Sequence, residues 1–157
     1  MELKTKIHAE EGTQDLTITR EFELPVELLF KAHTEPEIVE QWMGTKVMKL
    51  EAQKHGGWHF VTSDNKGNPV FQANGVFHEF ITNEKIVRTF EMENAPMGVQ
   101  LEFFEFKPLT EDTSKLIMHI VYQSAEARNM QLKMPFAKGL NMAHDRLQDV
   151  VTKLKQA

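Results

Sequence analysis

Two residues of opposite charge flank a tight turn. Thr82-Asn83-Glu84-Lys85 reads as a hairpin turn, and pairing Ile81 with Ile86 across it sets Glu79 opposite Arg88 and Phe77 opposite Phe90. If that side of the sheet is concave, a charged pair stands among aromatic rings. Glu102 on the following strand then joins it, giving two carboxylates around one guanidinium. Charges are costly to bury unless paired and hydrogen-bonded, so such a cluster would orient a polar ligand group or position a water. The structural alternative is an ion pair on the pocket floor or on the outer face. Acid–base catalysis by Glu79, Arg88 or Glu102 is a third use.

Other chemistries lack their residues. The chain has no cysteine, which removes disulfides, thiolate metal ligands and thiol nucleophiles. Its seven histidines stand at 8, 33, 55, 59, 78, 119 and 144. Strand alternation turns His78 away from Glu79, and His59 away from Trp58 and Phe60, so the three or four converging ligands of a zinc site are not expected. No Gly-x-Ser-x-Gly elbow occurs, and Ser124 suits a helix cap. Gly56-Gly57 and Gly67 lack the Lys-Ser/Thr ending of a phosphate loop. No catalytic residue, metal or cofactor is therefore assigned. A net charge of −5 argues against a nucleic-acid surface.

The elements that must position these residues follow from periodicity. Leu16 to Phe22 alternates as a half-buried strand. Pro25 opens a short helix bearing Leu28, Leu29 and Ala32, and Thr34-Glu35-Pro36-Glu37 reads as a capping box for a second bearing Ile38, Val39 and Trp42. From about residue 45 the period is near two, with strands at 46–52, 58–61, 71–81, 86–92, 99–107 and 115–122. The turns between them are short, which implies an antiparallel meander. Aromatics on both faces of 99–107 leave the direction of Phe103 and Phe104 open. After Ser124 the period becomes helical, with Ala127, Met130, Met134, Leu140, Ala143, Leu147, Val150, Val151 and Leu154 on one stripe and Asp145, Asp149 and Lys153 opposite. Pro135 should kink this helix or divide it. The whole, residues 1–157, reads as one α+β domain: a curved antiparallel sheet of six or seven strands wrapped on a long C-terminal helix.

The chain resembles the SRPBCC (START/Bet v 1-like) superfamily. It is most similar to the branch of the C-terminal domain of activators of the 90-kDa heat shock protein ATPase. Residues that carry the likeness are Pro25-x-Glu27-x-x-Phe30-x-Ala32, Pro36-Glu37, Trp42, Gly57-Trp58-x-Phe60, Gly75-Val76-Phe77-His78-Glu79 and Val87-Arg88-Thr89-Phe90-Glu91. Tyr122-x-Ser124-x-Glu126-x-Arg128, Gly139 and Asp145-Arg146-Leu147 complete it. The two glycines run directly into Trp58 without the spacer many relatives have, and Pro135 interrupts a helix usually continuous in them. The resemblance implies a helix-grip fold, and relatives range from lipid binders to enzymes and co-chaperones.

Three functions follow as expectations. The first is a binding module holding an apolar or amphipathic small molecule between sheet and C-terminal helix. Trp42, Trp58, Phe60, Phe77, Glu79, Arg88, Phe90, Met118, Ile120, Tyr122 and Met134 are its candidate contacts. Eleven Phe, nine Met and two Trp make such an interior adaptable. The second is a co-chaperone-like partner of a heat-shock chaperone, which the resemblance implies. The third is the acid–base enzyme. With no apolar run near membrane length and no apolar leader after Met1, a cytoplasmic monomer or weak dimer is expected.

Overall fold

The computed structural model describes residues 3–156. The chain runs β1 (Lys6–His8), β2 (Asp15–Phe22), α1 (Val26–Thr34), α2 (Pro36–Met43), β3 (Lys46–Leu50) and β4 (Gly57–Ser63). It continues through β5 (Pro69–Ile81), β6 (Lys85–Met92), β7 (Val99–Pro108), β8 (Ser114–Val121), α3 (Ala125–Lys133) and α4 (Phe136–Gln156). All eight strands form one antiparallel sheet in the order β1-β2-β8-β7-β6-β5-β4-β3. The meander is as expected, and the strand beyond seven is β1, a three-residue ribbon along β2.

One residue in two faces inward. The register therefore brings Leu16, Ile18, Arg20 and Phe22 of β2 beside Leu116, Met118 and Ile120 of β8, and these beside Gln100, Glu102, Phe104 and Phe106 of β7. All are buried. Leu29, Phe30, Ala32, Ile38, Val39 and Trp42 of the two short helices cover them, with Leu147 and Val151 of α4. Each such aliphatic or aromatic side chain contributes about 1.5–3 kcal/mol on burial. α4 packs chiefly on α2, where Arg146 Nε donates to the Trp42 carbonyl at 3.0 Å. Phe104 points inward. Phe103 points outward and stacks on His119, with ring centroids 5.7 Å apart.

Pro135 divides the C-terminal helix, the sharper of the two outcomes expected of it. The proline restricts the residue before it, so Met134 is extended (φ −75°, ψ 163°) and α3 ends there. Ser124 does cap α3, accepting from the Ala127 N–H at 3.0 Å. Two local expectations need correction. Thr34 is no capping-box residue: its hydroxyl donates back to the Phe30 carbonyl, and α2 starts from Glu35 without a side-chain cap. The apolar stripe does not run unbroken across the division. α3 buries Ala127, Arg128 and Gln131, while Met130 and Met134 are exposed.

Candidate functional site

The residues around Arg88 form the polar centre of the concave face. Strand β6 turns Ile86, Arg88, Phe90 and Met92 inward, because they alternate along it, and the register sets Arg88 opposite Glu102 and Phe90 opposite Gln100. Arg88 Nε donates to Glu102 Oε1 at 2.8 Å, and Gln100 Nε2 donates to Glu102 Oε2 at 2.9 Å. Both carboxylate oxygens are thus satisfied, as burial requires. The guanidinium lies over the rings of Trp58 (4.5 Å) and Phe104 (4.8 Å), with Phe90 at 5.8 Å. Cation–π attraction and the ion pair together fix the guanidinium.

Glu79 is absent from this cluster. A bulge between Phe77 and Glu79 inserts His78, so Phe77 pairs with Arg88 and Glu79 with Val87. Ile81 accordingly pairs with Lys85, one residue short of the expected Ile86. Glu79 points outward and meets Lys85 Nζ at 2.8 Å, with about half of its side chain in solvent. The pairing of Glu79 with Arg88, and of Phe77 with Phe90, is overturned. Glu102, expected as an additional member, is the actual partner.

The other candidate contacts divide by depth. Trp58 and Phe60 touch each other (centroids 4.9 Å), and Trp58 also meets Phe90 at 5.5 Å. A side chain on Gly75 would collide with the Trp58 ring and the Thr89 carbonyl, so the glycine makes the seat for that indole. Phe77 packs edge-on against Phe80. Met118 and Ile120 lie deep, under the helices. Tyr122 is buried, its hydroxyl 3.5 Å from Gln131 Oε1 on α3; burial, reinforced by the Glu102 charge, pushes its pKa up. Trp42 belongs to the closed core rather than a rim, its indole N–H donating to the Ala32 carbonyl at 2.6 Å. Met134 stands 44% exposed at the opposite extreme, at the mouth of a cleft.

That cleft encloses about 680 Å³ between the start of β5, the β6–β7 connection and the end of α3. Phe71, Met92, Met97, Met130 and Met134 give it an apolar lining, with Lys133 and Glu93 at its edge. Phe71 and Met92 are inward-facing and continue the rows that carry Ala73 and Phe90. Of these liners only Met134 was a candidate from the sequence. Alternation from Phe90 leads to Met92, and helical spacing links Met130 to Met134. Met97 sits in a loop, where no period exists to find it.

Two histidines were also missed. His144 of α4 is buried, with Nδ1 2.7 Å from the Thr5 hydroxyl and its ring edge-on to Phe22. Burial, then the nearby His33 and Arg20, pushes its pKa down to about 3. His33 of α1 lies among the rings of Trp42, Phe104 and Phe106. Burial and the Arg88 charge hold it at about 4, against a hydrogen bond to the Leu29 carbonyl that works the other way. Among the described residues no group of three or more His, Asp or Glu is arranged to hold a metal ion, and no helix is long and apolar enough to cross a membrane.

Solved structures share this architecture. Protein Ms6760 of Mycobacterium smegmatis superposes with a TM-score of 0.82 at 18% identity, covering 94% of this chain and 96% of its own. A Rhodobacter sphaeroides protein gives 0.83 at 19% identity, covering 94% and 99%. Protein NE0264 of Nitrosomonas europaea gives 0.77 at 21%, covering 92% and 97%. Likeness at such identities establishes the fold alone. No curated protein matches the chain. Residues 23–152, from the turn before α1 to the last turns of α4, match the family model described as Activator of Hsp90 ATPase homolog 1-like protein. With its helix-grip sheet and most of its length within that match, the chain belongs to this family of the SRPBCC superfamily.

Proposed function

We propose that the protein is a cytoplasmic small-molecule binding module, taking an apolar or amphipathic ligand into the concave face from the methionine-lined cleft. The observation that carries this reading is the cleft itself. Its volume of about 680 Å³ falls in the range of small-molecule sites, and its lining is apolar. Phe90 and Met92 on the adjoining concave row remain only half-buried, although both side chains point inward. Methionine side chains reshape readily, so a mouth of Met130 and Met134 above the buried Met97 suits ligands of varied outline. The contacts assigned to the ligand are Met134 at the mouth, then Phe90, Trp58, Phe60, Phe77 and Arg88 farther in. Native mass spectrometry of freshly purified protein tests the proposal. A retained small molecule, lost on substituting bulky Trp for Met92, is the expected result. Protein of bare chain mass, with no uptake of added apolar compounds, would count against it.

The family description favours a second reading, a protein-interaction domain acting on a heat-shock chaperone. A stoichiometric complex with a purified chaperone, formed equally well by the Met92→Trp variant, would support that reading.

A further inference from the structure

We propose that the ligand's polar group is an uncharged hydrogen-bond acceptor, such as a ketone or ester carbonyl, received by the Nη groups of Arg88. This deepens the binding proposal above and rests on it. Among the described residues, the hydrogen bond and ion pair of Arg88 both run through Nε, and both go to Glu102. The Nη edge has no acceptor among those residues, while the side chain keeps 15% of its surface accessible. The guanidinium thus offers donors on a face that ends in aromatic walls at Trp58 and Phe104.

Charge decides what those donors accept. Glu102 already balances Arg88, and Gln100 occupies the other carboxylate oxygen. The nearby His33 is neutral at physiological pH and adds no second cation, and Tyr122, whose pKa is pushed up beside Glu102, stays a neutral phenol. A carboxylate or phosphate entering here would bring a charge with no counterion of its own into an apolar enclosure, which is unfavourable. A carbonyl oxygen takes the same charge-assisted hydrogen bond without adding charge. The apolar body then follows the inward row from Arg88 through Phe90 to Met92. The four steps from Arg88 to Met92, at about 3.3 Å each, make roughly 13 Å, the length of an alkyl chain of about ten carbons.

The test displaces an uncharged naphthylamine dye from the protein at pH 7 with a methyl ketone, a fatty acid and an alkane of that one chain length. The ketone should displace the dye at roughly tenfold lower concentration than either of the others. Glu102→Gln, which keeps the shape but removes the balancing charge, should reverse the order of ketone and fatty acid. A fatty acid that outcompetes the ketone on the unaltered protein overturns the inference, and so does an unchanged order in Glu102→Gln. If the alkane displaces the dye and the ketone gains nothing over it, binding stands and the inference alone falls. If the dye never binds, or none of the three displaces it, the binding proposal fails and takes the inference with it.

Discussion

The concave face has two halves that differ in what covers them. Over β2, β8 and β7 the inward side chains are sealed beneath α1, α2 and α4: Leu16, Phe22 and Leu116 of the sheet and Leu147 of α4 are at most 1% exposed. Over β5 and β6 Ala73, Phe77 and Ile86 are sealed as well, but Phe71, Arg88, Phe90 and Met92 on the same face stay half-buried. The difference traces to the break at Met134-Pro135. Helix α3 ends at Lys133, its buried side resting on Ala127, Arg128 and Gln131, and the chain then turns away into α4. A continuous helix would have carried its stripe past this point. The sealed packing is therefore more continuous in one half, and the open cleft lies in the other.

Truncations should separate the halves most strongly. Leu147→Ala removes a fully buried side chain from the sealed half and should cost about 3–4 kcal/mol in urea unfolding. Met134→Ala at the cleft mouth should cost less than about 0.5 kcal/mol, because little is buried there. Equal losses would erase the distinction between the halves.

The boundary between them runs through Arg88 and Glu102. Arg88→Leu leaves Glu102 buried with only Gln100 as partner, and should destabilise by about 3 kcal/mol. Changing both to leucine should recover most of the loss, since no lone charge remains. A double variant as unstable as the single one would show that packing, not charge, sets the cost.

Acid should act on the sealed half first. The folded-state pKa of His144, about 3, lies below its ordinary value of 6.5, so the unfolded chain binds the proton more readily. Its contribution is fully present above pH 6.5 and declines as pH falls toward 3. Between pH 6.5 and 5 that decline amounts to about 1.5 kcal/mol. His33, shifted the same way but half-buried, should add less. The groups that face His144 are Thr5, Arg20 and His33, and Asp145 on the same helix pairs with Arg20 at 2.9 Å. His144→Gln should flatten the stability-versus-pH curve over this window. A slope equal to that of the unaltered protein would assign the acid sensitivity elsewhere.

Period and turn chemistry made the sheet legible. Strands β2 through β8 lie within a few residues of their expected positions, because each has alternation and a bounded turn. Register across a bulge is a different matter. His78 and Glu79 are both polar and both exposed, so nothing in their types marks which one is extra. A trace did exist in Phe77 and Phe80: two aromatics three apart in a strand can both face inward only if one residue between them is bulged. The Arg88–Glu102 pair was reachable because β6 and β7 pair without a bulge. The period also placed His144 and Arg20 on the inward faces of α4 and β2, but their polar types gave no sign that they would be buried rather than left at an edge.

Glu79 gives the smallest expected effect and the sharpest contrast with Glu102. The two carboxylates sit on neighbouring parts of one sheet, and each has a basic partner at 2.8 Å. Burial separates them: the Glu102 side chain is 4% exposed, while Glu79 and Lys85 are roughly half in water. In solvent the attraction is screened, and ordering two flexible side chains offsets much of what remains. Glu79→Gln should therefore change stability by less than about 0.5 kcal/mol and leave ligand displacement unaltered. Raising the salt concentration should remove even that difference, whereas the Arg88→Leu loss should persist. A Glu79→Gln cost near that of Arg88→Leu would mean that the bulge does not hold in solution and that Glu79 reaches the concave face.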